Sequence, residues 1–192
     1  ERRRARNRPP ITLAHADAIR EQVDGIDLVG CELWDFGFTA QYRGESTNPN
    51  LAIVGGTPEY APNNTHPVGL GRNLSAVDVR SARRVAVIGH AIGKKLYPFV
   101  DPIGREILVD GRKYEVVGVF DEKKSAFGGG FDNYVLIPVT TFVKTYGLVG
   151  REGYPRSVNI NVRARSPELL ESVMDETRRV MRQERRLRPD EE

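Results

Sequence analysis

Three histidines, one cysteine and three glycine-rich stretches are the positions where residue type could support chemistry in this chain. His15, His66 and His90 have no i,i+4 partner and no cysteine at ligand spacing, so they do not form a zinc pattern. Each is expected as a surface or helix-start residue. Cys31 stands alone in an apolar run, which excludes an intrachain disulfide and predicts a buried small hydrophobe. No serine occupies a G-x-S-x-G elbow. Carboxylates are plentiful, but nothing in their spacing pairs two of them for acid–base work.

The glycine-rich stretches fall short of phosphate binding. A dinucleotide site needs G-x-G-x-x-G so that backbone can touch a pyrophosphate. Gly89-His90-Ala91-Ile92-Gly93-Lys94 follows a strand-like run but lacks the second and third glycines. Gly69-Leu70-Gly71 follows no strand, and Gly128-Gly129-Gly130 has no Lys-Ser or Lys-Thr behind it. These stretches are expected to supply backbone freedom, with no cofactor and no metal. The chain is therefore not expected to be an enzyme.

Arginines gather at both ends: Arg2, Arg3, Arg4, Arg6 and Arg8, then Arg178, Arg179, Arg182, Arg185, Arg186 and Arg188. No aromatic residues interleave with them, which argues against nucleic acid. A solvated helix face and a loose tail, or contact with an acidic surface, are the readings left. The net charge is only +3, although the pI is about 9.1.

The elements that must position these residues follow from periodicity. A helix capped by Thr12 is expected to run to about Val23, with Gly25 after it. Strands are expected over 26–34, 36–42 and 51–54, the last stopping at Gly55-Gly56. Residues 57–82 carry Pro58, Pro62, Pro67, Gly69 and Gly71, and read as a long irregular connection. Val85-Ala86-Val87-Ile88 reads as a buried strand and Tyr134 to Ile137 as another, each followed by a short helix. Near the C-terminus, Val158, Ile160 and Val162 alternate with polar residues. Ser166 and Pro167 then open a helix with a stripe of Leu169, Leu170, Val173, Met174, Val180 and Met181.

Two turns are specific. Asp101-Pro102-Ile103-Gly104 has Asp first, Pro second and Gly fourth, the order of a type I turn. Asp110-Gly111 between strand-like runs predicts a two-residue type I′ hairpin that sets Ile107 opposite Tyr114. Gly118 interrupts the following strand and predicts a bulge or a close backbone approach. Phe127 and Phe131 flank three glycines in a loop and are candidates for partner contact.

This order of elements is α+β. Both chain ends, residues 1–56 and 151–192, are expected to form one α/β subdomain, with residues 57–150 as a β-rich insertion. No run approaches the roughly 20 apolar residues that span a bilayer. The chain starts at Glu1 and carries no signal peptide, so it is expected to be a fragment of a longer protein.

Taken in order, certain residues resemble the MacB-like periplasmic core domain of bacterial ABC-transporter permeases (the FtsX/MacB/LolC type). They are Gly25-Ile26, Gly71-Arg72-Asn73-Leu74 with Asp78, Val85 to Gly89, Leu96-Tyr97, Asp101 to Arg105, Ile107, Gly111, Val116 to Val119, and Val135 to Pro138. Tyr97 and Arg105 stand where the family usually has Phe and Lys. The resemblance implies a porter-like α/β subdomain near the membrane with a β-rich insertion. It implies a place on the periplasmic or extracellular side of the bacterial inner membrane, between the first two of four membrane helices. It also implies a cytoplasmic ATPase partner, a second permease copy, and contact with a periplasmic adaptor or substrate protein. In such permeases the domain transmits motion for export, lipoprotein extraction or partner activation. A passive ligand- or adaptor-binding module is the alternative.

Overall fold

The computed structural model describes residues 9–123 and 132–187. Ten strands form one sheet in the order β10-β1-β4-β9-β6-β8-β7-β2-β3, with β5 beside β8. The strands are β1 Ile26–Phe38, β2 Ala40–Tyr42, β3 Glu45–Ser46, β4 Leu51–Gly56, β5 Val68–Gly71, β6 Val85–Ile88, β7 Glu106–Val109, β8 Arg112–Phe120, β9 Tyr134–Pro138 and β10 Asn159–Ala164. The helices are α1 Leu13–Gln22, α2 Tyr60–Asn63, α3 Ala76–Arg80, α4 His90–Leu96, α5 Val139–Tyr146 and α6 Leu170–Glu184.

Apolar residues alternate into two cores, one on each face of the sheet. Cys31, Leu33, Ile53, Ile88, Val135 and Ile137 meet α1, α4, α5 and α6 on the larger face. Ala52, Val54, Val87, Leu136 and Phe120 meet Tyr60, Ala61 and Leu74 on the other. The central strands β4, β6 and β9 are buried along their whole length. Such strands are apolar without interruption because both faces are covered. The fold is thus mixed α+β. The chain ends supply β1, β4, β10, α1 and α6 at one end of the sheet; residues 57–150 supply β5 to β9. β2 and β3 lie at the far edge, beside β7.

Several boundaries differ from those the sequence suggests. β1 runs unbroken through Asp35, whose carboxylate is taken by Arg156 at 2.7 Å, so a charge is tolerated mid-strand. β4 continues through Gly55-Gly56 because the missing side chains make room: a Cβ at Gly55 would lie 2.3 Å from Phe142, and one at Gly56 2.7 Å from Leu136. Residues 57–82 hold α2, β5 and α3 rather than one irregular connection. Pro167–Leu169 is a 3-10 turn, so α6 proper has 15 residues and spans about 22 Å.

The hairpin geometry is explicit. Asp110 and Gly111 have φ of 52° and 72°, and Ile107 faces Tyr114. Gly118 follows a register shift, and a Cβ there would lie 2.3 Å from the Arg72 carbonyl. The turn at Asp101, Pro102 and Gly104 is displaced by one residue. Its closing bond runs from Arg105 N to Pro102 O at 3.0 Å, because the Gly104 N–H donates to Val116 O at 2.8 Å. Asp101 instead accepts the Ile103 N–H through Oδ1 at 2.9 Å. Gly104, with φ of 75°, takes the third position, which favours glycine.

Candidate functional site: joined chain ends, a loop pedestal and a cleft

The two ends of the described chain meet. Arg185, just past α6, donates from Nη2 to the Pro9 carbonyl at 3.0 Å. Ile11 donates to Ser157 Oγ at 3.1 Å and accepts the Val158 N–H at 2.9 Å. At the other end of the pair, the Asp24 N–H reaches Glu176 Oε2 at 3.2 Å and the Arg165 N–H reaches Gly25 O at 2.8 Å. α1 and α6 are therefore fastened to each other and to the β1–β10 pair at both ends.

A second cluster holds residues 121 and 132, the flanks of the segment that contains Phe127 and Phe131; those two phenylalanines lie outside the described residues. His66 is buried and stacks on Phe120 with ring centroids 4.5 Å apart. Its Nε2 lies 2.8 Å from the Asp121 carbonyl, which can only accept, so Nε2 carries the hydrogen. Nδ1 then accepts from the Tyr134 hydroxyl at 2.7 Å. Burial pushes the Tyr134 phenol far above its ordinary range, which keeps it a donor. Asp132 accepts the Lys123 N–H at 3.1 Å, and Lys123 Nζ reaches Asn64 O at 2.9 Å.

The third feature is a cleft of about 420 Å³ between α4, β5 and the end of β8. Leu70, His90, Lys94, Tyr97 and Pro98 line it. Next to it Phe99 is 95% exposed. Phe99 sits between Pro98 and Pro102, and sequence reasoning missed it; the flanking prolines are the signal that could have found it.

Among the described residues no three His, Cys, Asp or Glu side chains could hold a metal ion. His15 closes the first turn of α1 by accepting the Thr12 N–H on Nδ1 at 3.0 Å. His66 is a core residue rather than a surface one, and His90 starts α4 at the cleft wall. Cys31 is buried, and desolvation raises its thiol to about 11. Arg2, Arg3, Arg4, Arg6, Arg8 and Arg188 lie outside the described residues. Arg178 pairs with Asp175 at 2.7 Å.

A model of the MacB-like periplasmic core domain matches residues 2–180. The chain belongs to that family. The macrolide export ATP-binding/permease protein MacB of Bdellovibrio bacteriovorus is 31% identical over 171 residues, 86% of this chain and 25% of the relative. The pyoverdine export ATP-binding/permease protein PvdT of Pseudomonas aeruginosa is 39% identical over 89 residues, 45% of this chain and 13% of the relative. The chain thus spans about a quarter or less of the length of these relatives. The periplasmic region of MacB from Actinobacillus actinomycetemcomitans superposes with a TM-score of 0.76 at 17% identity, covering 95% of this chain and 78% of that one. The extracellular domain of the transporter YknZ from Gram-positive bacteria gives 0.73 at 21% identity, covering 91% and 84%. Both share the fold.

In this MacB-like core domain the Gly71-Arg72-Asn73-Leu74…Asp78 residues form a closed network. Asp78 is fully buried and takes Arg72 Nη1 at 2.7 Å, the Ser75 hydroxyl at 2.7 Å and the Ser75 N–H at 2.9 Å. Burial alone would raise its pKa. The Arg72 and Ser75 hydrogen bonds outweigh that and hold the carboxyl at about 2. The S-x-x-D spacing of a capping box was the available signal for α3. In the core domain this network ties the end of β5 to α3.

Proposed function

We propose that this MacB-like core domain is the extracytoplasmic part of an ABC-transporter permease subunit and transmits conformational change between the membrane and its surroundings. The observation that carries this is the Arg185–Pro9 contact: entry and exit of the chain share one pole, bonded into the β1–β10 pair. A domain inserted between two membrane helices must begin and end at one membrane surface. Residues 1–56 and 151–192 then form the membrane-side part, apart from β2 and β3, which lie against β7 of the inserted part 57–150. A cytoplasmic ATPase subunit or domain would drive two permease copies, and a periplasmic adaptor or substrate protein would receive the motion. Among the described residues no helix is long and apolar enough to cross a membrane.

The test is a short Gly-Ser insertion after Gln183 in the full-length permease. ATP turnover and domain melting are expected to stay normal while transport or partner activation is lost. Normal transport with the linker present would instead support a passive ligand- or adaptor-binding module. The cleft between α4 and β5, with Phe99 at its side, is the observation that favours this second reading.

A further inference from the structure

The sheet order comes back to the chain on which it starts. Only Thr39 separates β1 from β2. The strand that lies beside β4 near one end of the order therefore runs on into the strand beside β7 at the other. The backbone shows on which side each neighbour sits. Cys31 faces β4: its N–H donates to Thr57 Oγ1 and its carbonyl accepts the Thr57 N–H, both at 3.1 Å. Successive residues of a strand face opposite sides. Gly37, with φ of 84° at the register shift between Phe36 and Phe38, adds one residue to that alternation. Beyond this bulge Ala40 faces the returning chain, donating to Thr47 Oγ1 and accepting the Thr47 N–H, both at 2.9 Å. Thr39 must face the other way, on the flank that β10 holds along the first half of β1. There its carbonyl accepts the Asp110 N–H at 3.2 Å. The strands β1–β2, β4, β9, β6, β8 and β7 thus close a ring.

The closing strand is packed as well as bonded. Phe38 and Ala40 share the main core with Ile107, Val109 and Tyr114 of the β7–β8 hairpin. Tyr146 of α5 bridges the two sides. Its ring meets Phe38 edge-on with centroids 5.5 Å apart, and its hydroxyl lies 3.4 Å from that of Tyr114. At the end of β2, the Tyr42 ring lies 4.3 Å from that of Tyr97, and its hydroxyl accepts Arg105 Nη1 at 3.4 Å.

Segments 1–56 and 57–150 are therefore joined along two strand seams. The β4–β9 seam has five residue pairs and the β2–β7 seam has two. Bodies joined along one seam can swing about it as about a hinge. Bodies joined on both flanks of a ring cannot do so unless one seam parts. We propose that β2 is a strap: by holding β7 it locks the two segments into one rigid body, and the short β2–β7 seam is the place where that rigidity can be released. A displacement of α1 and α6 then arrives at α4 and the Phe99 loop without loss at a hinge. This last consequence rests on the proposed function; the strap does not.

The test is the width of the distance distribution between spin labels on Glu171→Cys in α6 and Lys95→Cys in α4, both exposed positions. Cys31, the only native cysteine, is buried. With the strap intact the distribution should be a single narrow peak. Two glycines inserted after Thr39 leave every pairing partner in place but slacken the strap. They should broaden the peak about twofold or more while melting stays cooperative. Gln41→Pro removes an N–H aimed at β7 and should broaden it by opening the seam. A folded variant of either kind with an unchanged width overturns the proposal. If neither variant folds, the chain with the native strap decides: one narrow peak supports the strap, and a broad or two-peaked distribution overturns it. The measurement involves no transport, so its outcome and that of the linker insertion are read separately.

Discussion

The Tyr134 hydroxyl lies 2.7 Å from His66 Nδ1, and both side chains belong to the small core on the α2 side of the sheet or its margin. His66 spends its other nitrogen on the Asp121 carbonyl, so one ring fastens β9 to the end of β8. Tyr134→Phe removes the donor and leaves Nδ1 buried without a partner. A buried acceptor stranded in this way costs about 1–3 kcal/mol. We expect a lower melting temperature and faster amide exchange at Lys123 and Asp132 than in the hairpin at Asp110. Uniform exchange changes throughout the sheet would show that the pair does not act as a local fastener.

Two glycines separate strain from crowding. Gly111 has φ of 72° and open space around it, so Gly111→Val should cost about 1–3 kcal/mol through backbone strain alone. Gly89 has an ordinary φ of −63°, but a Cβ there would lie 1.9 Å from the Asp132 carbonyl oxygen. Backbone cannot yield as a side chain can. Gly89→Ala should therefore destabilise the domain more than Gly111→Val, by about 3 kcal/mol or more, at the upper end of single substitutions. Denaturant midpoints of the two variants check the order, and an inverted order would refute the crowding argument.

Much of this fold is legible in the sequence where one physical rule acts alone. Asp110-Gly111 demands positive φ, and the alternation of Val158, Ile160 and Val162 demands one covered face; both appear where the pattern puts them. The pattern fails where a distant residue overrides it. Arg156 lies 121 residues from Asp35, yet it lets β1 run through that charge. β5 is mostly exposed and carries two glycines, so it has no apolar signature; it is a strand because β8 offers an edge. The candidate sites follow the same division. Phe99 was not singled out, although prolines flank it at 98 and 102. The His66–Tyr134 contact could not be, because its partners are 68 residues apart and belong to different elements.

The buried Asp78 sets an acid limit. Its carboxyl is held at about 2 in the folded chain, below the ordinary value of 3.8. A depressed carboxylate contributes stability above its unfolded pKa and loses it as pH falls through the folded value. The window is therefore about pH 4 down to 2. Arg72 and Arg83 are about half exposed, so solvent screening trims the term to roughly 1–2 kcal/mol. Asp78→Asn should lower stability at pH 7 and flatten the loss between pH 4 and 2. A wild-type stability that is flat across this window would show that the Arg72 pair contributes nothing.

The Arg185–Pro9 bond leads to the last prediction. Arg185 is the C-cap of α6, partly buried, with its Nε shielded from water and unpaired while Nη2 holds the Pro9 carbonyl. A hydrogen bond between a charged donor and a neutral carbonyl contributes about 1.5–3 kcal/mol when well formed, and less when solvent reaches it. Arg185→Ala removes the bond and also the aliphatic stem that packs at the helix end. The change should be local, because α6 keeps Val173 and Val180 in the main core. We expect the global melting temperature to fall by only a few degrees, while the last turn of α6 and residues 9–11 exchange amides several-fold faster. Arg185→Lys keeps the charge and a donor, and should restore part of the protection. If the transmission reading is correct, Arg185→Ala in the full-length permease weakens coupling without changing ATP turnover. Unchanged exchange at both ends would show that the termini are held by the Ile11–Val158 and Ile11–Ser157 bonds alone.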